Sequence, residues 1–302
     1  MPSVTVSHRT LSDQHGRDRR RGRLCLPSIP LVVLMLALLS MSAYSKDRED
    51  GAQGNTESKT EGKPAGTAEP LKMGGRTFSS DLPLKVLVFR EAREAPESIG
   101  QTPSARPLDI PRGAPWVVVA FKRVDMEALA REITAKKIPH LVLEHWVVDG
   151  DLAHLKDLTG LRWLVLRGCG QITDAGLAHL KGLTGLRKLV LFEMQITGAG
   201  LAHLKGLTGL RELHLGGTKI TDAGLAHLKG LTGLRELDLG FTKITGAGLA
   251  HLNGLTGLRE LHLRLTKITD AGLAHLRGLT GLRKLNLEGT KITDAGLAHL
   301  KG

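Results

Sequence analysis

Large aromatic side chains are scarce in this chain of 302 residues, at 3%, which excludes a core packed around rings. Cysteine is scarcer still. Cys25 lies at the edge of an apolar segment and Cys169 inside a repetitive region, so a disulfide between them is not expected. The fold must then stand on packing, whatever the redox state of its compartment. Long apolar runs are also missing: the unbroken one, Leu31 to Leu39, has nine residues, well short of the roughly 20 that a membrane helix needs. What the chain has in quantity is leucine to fill an interior and glycine, 37 residues of it, to serve turns.

The formal charge is +12, but it is not gathered into one patch. Residues 1–24 carry six arginines against two aspartates, while residues 138–302 carry twenty Lys/Arg against fourteen Asp/Glu over a large surface. Diffuse positive charge favours acidic partners only weakly. With no basic groove lined by aromatics, specific nucleic-acid recognition is not expected.

Residues 26–44 read LPSIPLVVLMLALLSMSAY directly after the arginine cluster. A basic region followed by an apolar run is the pattern of an export signal or a signal anchor. The short run suits a signal, and Ser40, Ser42 and Ala43 supply small residues for cleavage. Pro27, Pro30 and the long leader weigh against cleavage, and residues 26–44 would be the only membrane-associated part if they stay uncleaved. In both cases the rest of the chain is expected outside the cytoplasm (secreted, periplasmic or anchored), and a mis-assigned start with no export is the third reading. Residues 45–115 are expected to be a flexible linker, polar at first and then rich in proline, with one possible strand at 84–89 (LKVLVF).

From Leu161 the chain copies itself. Units begin at Leu161, Leu186, Leu210, Leu234, Leu258 and Leu282; the first has 25 residues, the next four have 24, and the last stops at Gly302. In LRELHLGGTKITDAGLAHLKGLTG (210–233), Leu213 and Leu215 alternate with polar Glu212 and His214, which predicts a short strand with one buried face. Ile220, Leu225, Leu228 and Leu231 recur at helical spacing, with Thr221 as N-cap, Asp222 in the first turn and Gly230 as a left-handed stop. One unit is too small to fold, so the units must stack into a shared leucine interior with the strands parallel. Residues 138–160 form a degenerate unit. Residues 116–137 are expected to be a worn copy capping the N-terminal end, with Val117, Val119, Val124 and Leu129 in the places of Leu213, Leu215, Ile220 and Leu225.

Over residues 138–302, and loosely over 116–137, these units resemble the leucine-rich repeat proteins. The ITDAGLxxL wording is similar to the cysteine-containing subclass known from F-box-associated repeats, and the run of near-identical units resembles repeat proteins of planctomycete-type bacteria. LRWLVLRGCGQI places Cys169 where that subclass has its cysteine, whereas Met194, Thr218, Thr242, Thr266 and Thr290 take that place later. The resemblance implies an α/β leucine-rich repeat solenoid, a curved arc with parallel strands on the concave face and short helices on the convex one. It also implies a binding role.

The outward strand positions vary while the framework does not. One column reads Val165, Val190, His214, Asp238, His262 and Asn286; the one before it reads Trp163, Lys188, Glu212, Glu236, Glu260 and Lys284. The column after reads Arg167, Phe192, Gly216, Gly240, Arg264 and Glu288. Trp163, Val165, Val190 and Phe192, flanked by Arg167 and Lys188, have the make-up of an exposed interaction hot spot, unless upstream chain folds over them. His214, Asp238 and His262 are the one set with metal-binding or acid–base potential, and solvated polar residues are the simpler reading. A second histidine ladder, from His154 to His299 at the GLAHL position, belongs to the convex side. Together these residues predict a non-catalytic module, without a cofactor, that binds a protein or a cell-surface polymer. The alternatives are a metal-dependent hydrolase and an assembly element. For the last, Leu285, Leu287, Leu297 and Leu300 would be exposed on an uncapped C-terminal face and join copies end to end.

Overall fold

The structure, a computed structural model, describes residues 5–7, 76–89, 96–104, 106–111 and 115–300. The expected signal segment at 26–44 lies outside them, as does most of the expected linker. No helix among the described residues is long and apolar enough to cross a membrane.

Among the described residues thirteen strands run in chain order: β1 (Thr5–Ser7), β2 (Arg76–Phe78), β3 (Lys85–Val88), β4 (Glu97–Gln101), β5 (Leu108–Ile110), β6 (Trp116–Ala120), β7 (His140–Glu144), β8 (Trp163–Arg167), β9 (Lys188–Leu191), β10 (Glu212–His214), β11 (Glu236–Asp238), β12 (Glu260–His262) and β13 (Lys284–Asn286). Eleven form one sheet in the order β1-β13-β12-β11-β10-β9-β8-β7-β6-β3-β4. From β6 to β13 each strand pairs in parallel with the strand of the next unit, one strand per unit. This is the expected leucine-rich repeat solenoid. Leu164, Leu189, Leu213, Leu237, Leu261 and Leu285 share one register line, and none is more than 1% exposed. At about 1.5–3 kcal/mol for each buried leucine, this line and the helical leucines opposite it carry the fold.

The second half of most units is one α-turn followed by a 3-10 turn, as in Asp222–Leu225 and Ala226–Leu228, and in Asp149–Leu155 and Gly246–Leu252 it is 3-10 throughout. The central glycine of that turn is there for the neighbouring unit. A Cβ on Gly176 would lie 2.3 Å from Asp149 Oδ1, and one on Gly200 would lie 2.3 Å from Asp174 Oδ1. That aspartate reaches across the junction. Asp149 accepts bonds from the Thr173 backbone N–H (2.8 Å) and hydroxyl (2.5 Å), and Asp174, Asp222 and Asp270 do the same for Thr197, Thr245 and Thr293. Where Gly198 and Gly246 replace the aspartate, the backbones close up instead: a Cβ on Gly198 would be 2.6 Å from Gly224 Cα. Two junctions therefore lack the clamp.

Two local expectations are corrected. Thr221, preceded across its junction by Gly198, makes no side-chain cap bond, whereas Thr173, Thr197 and Thr245 accept from the N–H two residues on. Gly230 is not left-handed. The left-handed residue of each unit falls just after the strand, at Gly168, Glu193, Gly217, Phe241, Leu265 and Gly289. The cysteine position has a plain purpose: Thr218, Thr242, Thr266 and Thr290 each donate their hydroxyl at 2.6 Å to the carbonyl three residues back. Buried Cys169 makes the weaker sulfur version to Arg167 O (3.4 Å), and burial pushes its thiol up to about 11, which makes it a poor nucleophile.

The N-terminal end is larger than expected. Helix α1 (Met126–Lys136) is capped by the Asp125 carboxylate, and it buries Met126, Leu129 and Ile133. The worn copy fits its neighbours one residue out of the expected register: Val118 and Ala120, not Val117 and Val119, align with Leu141 and Leu143. A shift of one turns every side chain to the opposite face, so Val117 and Val119 lie on the inner face. Beyond β6 the sheet continues antiparallel through β3 and β4, and β2 pairs with β5, so three further strands stand where loop or linker was expected. The prolines at 96, 103, 107, 111 and 115 flank these short strands without interrupting them. Phe78 packs on Trp116 (5.8 Å) and Ser80 donates to Glu132 (2.7 Å), which fastens this part to the solenoid.

At the other end, β1 pairs in parallel with β13, so the outer edge of the last unit is not bare. Leu285 and Leu287 are 1% exposed, and Leu297 and Leu300 are half-buried against the core. The expected exposed leucine face is therefore corrected: the last unit's own helical turn folds over its strand leucines, and a strand occupies the edge.

Candidate functional site

The register confirms the outward columns. Trp163, Lys188, Glu212, Glu236, Glu260 and Lys284 lie side by side on successive strands, as do Val165, Val190, His214, Asp238, His262 and Asn286. Their environments divide at β10.

On the N-terminal side the apolar patch is not exposed. Val165 (6%) and Val190 (3%) join Leu87, Val117, Val119 and Val142 in a second buried cluster, edged by Phe89, Phe121 and Phe192. The worn copy and β3 cover the flank of the patch with their own outward valines and leucine. Trp163 stacks on His140 (4.1 Å) and meets Phe89 edge-on. Burial lowers the pKa of His140, opposed by its hydrogen bond to the Trp116 carbonyl. Lys188, buried at 7% exposure, extends its ammonium towards the Trp163 ring (5.9 Å) and binds Glu212 at 2.5 Å. Arg167 is held near Glu144 (3.8 Å), and burial lowers its pKa against the raising effect of that carboxylate.

From β10 onward the face is polar. Glu212, Glu236 and Glu260 form a row whose ends are paired, Glu212 with Lys188 and Glu260 with Lys284 (2.9 Å), while Glu236 has no lysine. Burial raises the pKa of Glu236, with Glu212 and Glu260 adding to the rise and His214 and Lys188 opposing it. His214 is only 2% exposed, its Nε2 3.6 Å from Glu236 and its Nδ1 4.0 Å from Asp238. Neither contact is a direct hydrogen bond. For Asp238, burial acts to raise the pKa, but His214, the Gly240 N–H (2.9 Å) and the charge of His262 outweigh it, and the net direction is down. Burying polar atoms without partners is costly. His214 Nε2, Glu236 Oε1, His262 Nε2 and Arg264 Nε are nevertheless buried without one.

The expected trio His214, Asp238 and His262 does not converge on one point. Ligand atoms within 4.8 Å of one another belong instead to Glu212, His214 and Glu236, and to Glu236, Glu260 and His262. The three strands β10 to β12 carry His–Asp–His in one column and Glu–Glu–Glu in the next, and the glutamates reach the histidines while Asp238 is turned back by its own turn.

A groove of about 290 Å³ runs along the glutamate row, bounded by Trp163, Lys188 and the repeated arginines at 187, 211, 235 and 259. Two of these arginines are structural: Arg187 and Arg211 each donate to the carbonyl of the glycine that closes their own unit, as Arg162 does one unit upstream. The histidines of the GLAHL ladder are half-buried or exposed on the helical side, away from this groove.

Phe241 and Leu265 went unnoticed in the sequence. They are the exposed large apolar residues among those described, at 45% and 44%, and both hold left-handed backbone, φ 57° and 52°. Side chains in that region cost about 1–2 kcal/mol. Gly217 and Gly289 hold the same place in the flanking units without that cost, so the signal was a glycine column broken at Phe241 and Leu265, and once more at polar Glu193. Arg264 lies over the Phe241 ring (4.5 Å), and it can do so because Gly240 beside it has no side chain: a Cβ there would be 2.9 Å from Arg264 Cγ.

Two family models described as leucine rich repeat match residues 232–292 and 207–228. No curated protein matches the chain. A solved structure of an internalin from Listeria monocytogenes is 22% identical, covering 59% of this chain and 68% of that one with a TM-score of 0.36. The matched residues, the unit-by-unit parallel pairing and the leucine register line show a leucine-rich-repeat solenoid fold in this part of the chain.

Proposed function

We propose that the chain is a non-catalytic protein-interaction module that acts outside the cytoplasm and docks its partner on the C-terminal half of the inner sheet. One observation carries this reading: Phe241 and Leu265 are exposed, apolar and held in a costly backbone conformation where neighbouring units use glycine. Strain of this kind persists at sites of use, and exposed aromatic residues are typical binding anchors. Beside them the glutamate row, Asp238 and Arg264 supply charge for orientation, so the matching partner surface is apolar at its centre and basic at its margin. The extracytoplasmic placement rests on the basic-then-apolar leader at 1–44. The likeness to the cysteine-containing subclass and to planctomycete-type repeat proteins rests on Leu161–Ile172 and on the near-identity of the later units.

The test is crosslinked capture from the source cell envelope with the native chain and with the double variant F241G/L265G. A protein captured by the native chain and lost with the variant, at unchanged circular dichroism, supports the reading. Equal capture by both contradicts it.

A further inference from the structure

We propose that Glu212, His214 and Glu236 form a binding site for a divalent transition-metal ion of the zinc class. The site lies on β10 and β11, where the register sets Glu212 beside Glu236 and puts His214 one position further along the same face. Three observations carry it. His214 is 98% buried by its 2% exposure, and its Nε2 has no hydrogen-bond partner although it is aimed at Glu236, whose facing oxygen is also unpartnered. The 3.6 Å between those two atoms is too long for a hydrogen bond, yet close to the roughly 3.3 Å that separates two ligands on a tetrahedral ion with bonds near 2.0–2.2 Å. Finally, the other ring nitrogen, Nδ1, faces Asp238 at 4.0 Å, and Asp238 is itself fixed by the Gly240 N–H. Carboxylates behind a ligating imidazole are the usual outer support of zinc sites. Asp238 is thus a positioning residue in this arrangement and not a ligand.

Charge favours the same ion. Of the carboxylates in this stretch, Glu212 and Glu260 are paired with Lys188 and Lys284, whereas Glu236 and Asp238, the two nearest the His214 ring, form no ion pair with a lysine and are placed to meet a cation. Lys188 holds one oxygen of Glu212 and leaves the other free to turn inward. The mixed nitrogen and oxygen donor set suits zinc or cobalt better than calcium or magnesium, which prefer oxygen alone.

The test uses the full chain, stripped with chelator and titrated with Co²⁺ and Zn²⁺ while visible absorption and melting temperature are recorded. The expected result is one tightly held ion, intense tetrahedral Co²⁺ absorption that Zn²⁺ abolishes, and a raised melting temperature. E212Q and E236Q weaken binding by more than about 100-fold and D238N by about 10-fold. E212Q alters a half-exposed side chain, so it stays informative if E236Q fails to fold. H203A, on the helical side, leaves binding unchanged. Absence of binding, or binding that survives E212Q and E236Q but falls with H203A, overturns the proposal and assigns the ion to the outer histidine ladder.

Discussion

The two halves of the inner sheet have the same backbone and different fates. From β3 to β9 the outward residues are Leu87, Val117, Val119, Val142, Val165 and Val190, and they bury one another. From β10 to β13 the same places hold His214, Asp238, His262 and Asn286, with orphaned polar atoms beside them and two strained apolar residues at their margin. The first half behaves as a second core that stiffens the N-terminal end. The second half holds four of the five buried side-chain polar atoms without a partner among the described residues, and its left-handed Phe241 and Leu265 are exposed; a binding surface accounts for both.

This division can be broken by mutation. The largest effect belongs to Val190→Asp, which puts an unpaired carboxylate among valines and costs about 3–5 kcal/mol in urea unfolding. If it costs less than Val190→Ala, the cluster is not a core. Next comes the inter-unit clamp. Asp222→Ala leaves the Thr245 N–H and hydroxyl without their acceptor and costs about 1–2 kcal/mol, whereas Gly198→Asp destabilises because its Cβ would strike Gly224. Phe241→Gly relieves left-handed strain and leaves stability equal or raised by about 1 kcal/mol while partner binding falls. A loss of stability there would mean that Phe241 serves the fold. The smallest effect, within about 0.5 kcal/mol, is expected for Asn286→Asp in the same column as Val190, because the aspartate keeps the bond from the Glu288 N–H.

Acid should act through the clamp at Asp270. Hydrogen bonds from Thr293 hold the Asp270 carboxyl below its ordinary value. A depressed pKa adds stability that is complete above the unfolded carboxylate range and is lost as pH falls through the folded value. Asp270→Asn should therefore flatten part of the loss below about pH 4, read as the urea midpoint against pH.

The solenoid was legible because nearly identical units fix their own register: once Leu213 pairs with Leu237, every outward column follows. The register was lost where the copy was worn, since WVVVA is apolar on both faces and either alternation fits it. The short strands at 97–101 and 108–110 carry no alternation strong enough to outweigh the prolines around them. The candidate site was legible in composition and not in geometry. His214 and the glutamates stood out, but which carboxylate faces Nε2 depends on side-chain reach across strands. Phe241 and Leu265 were missed because their significance is a backbone angle, which no periodicity reports. The aspartate–threonine clamp, present at four junctions, was missed for a related reason: both partners looked complete as parts of their own helical turn.

The most direct measurement is hydroxyl-radical footprinting of the native chain, read residue by residue on the inner face. Labelling concentrated on Phe241 and Leu265, with Val142, Val165 and Val190 protected until unfolding, is the predicted pattern. Strong labelling of those valines, or protection of Phe241 and Leu265 in the free chain, would contradict the division on which the account rests.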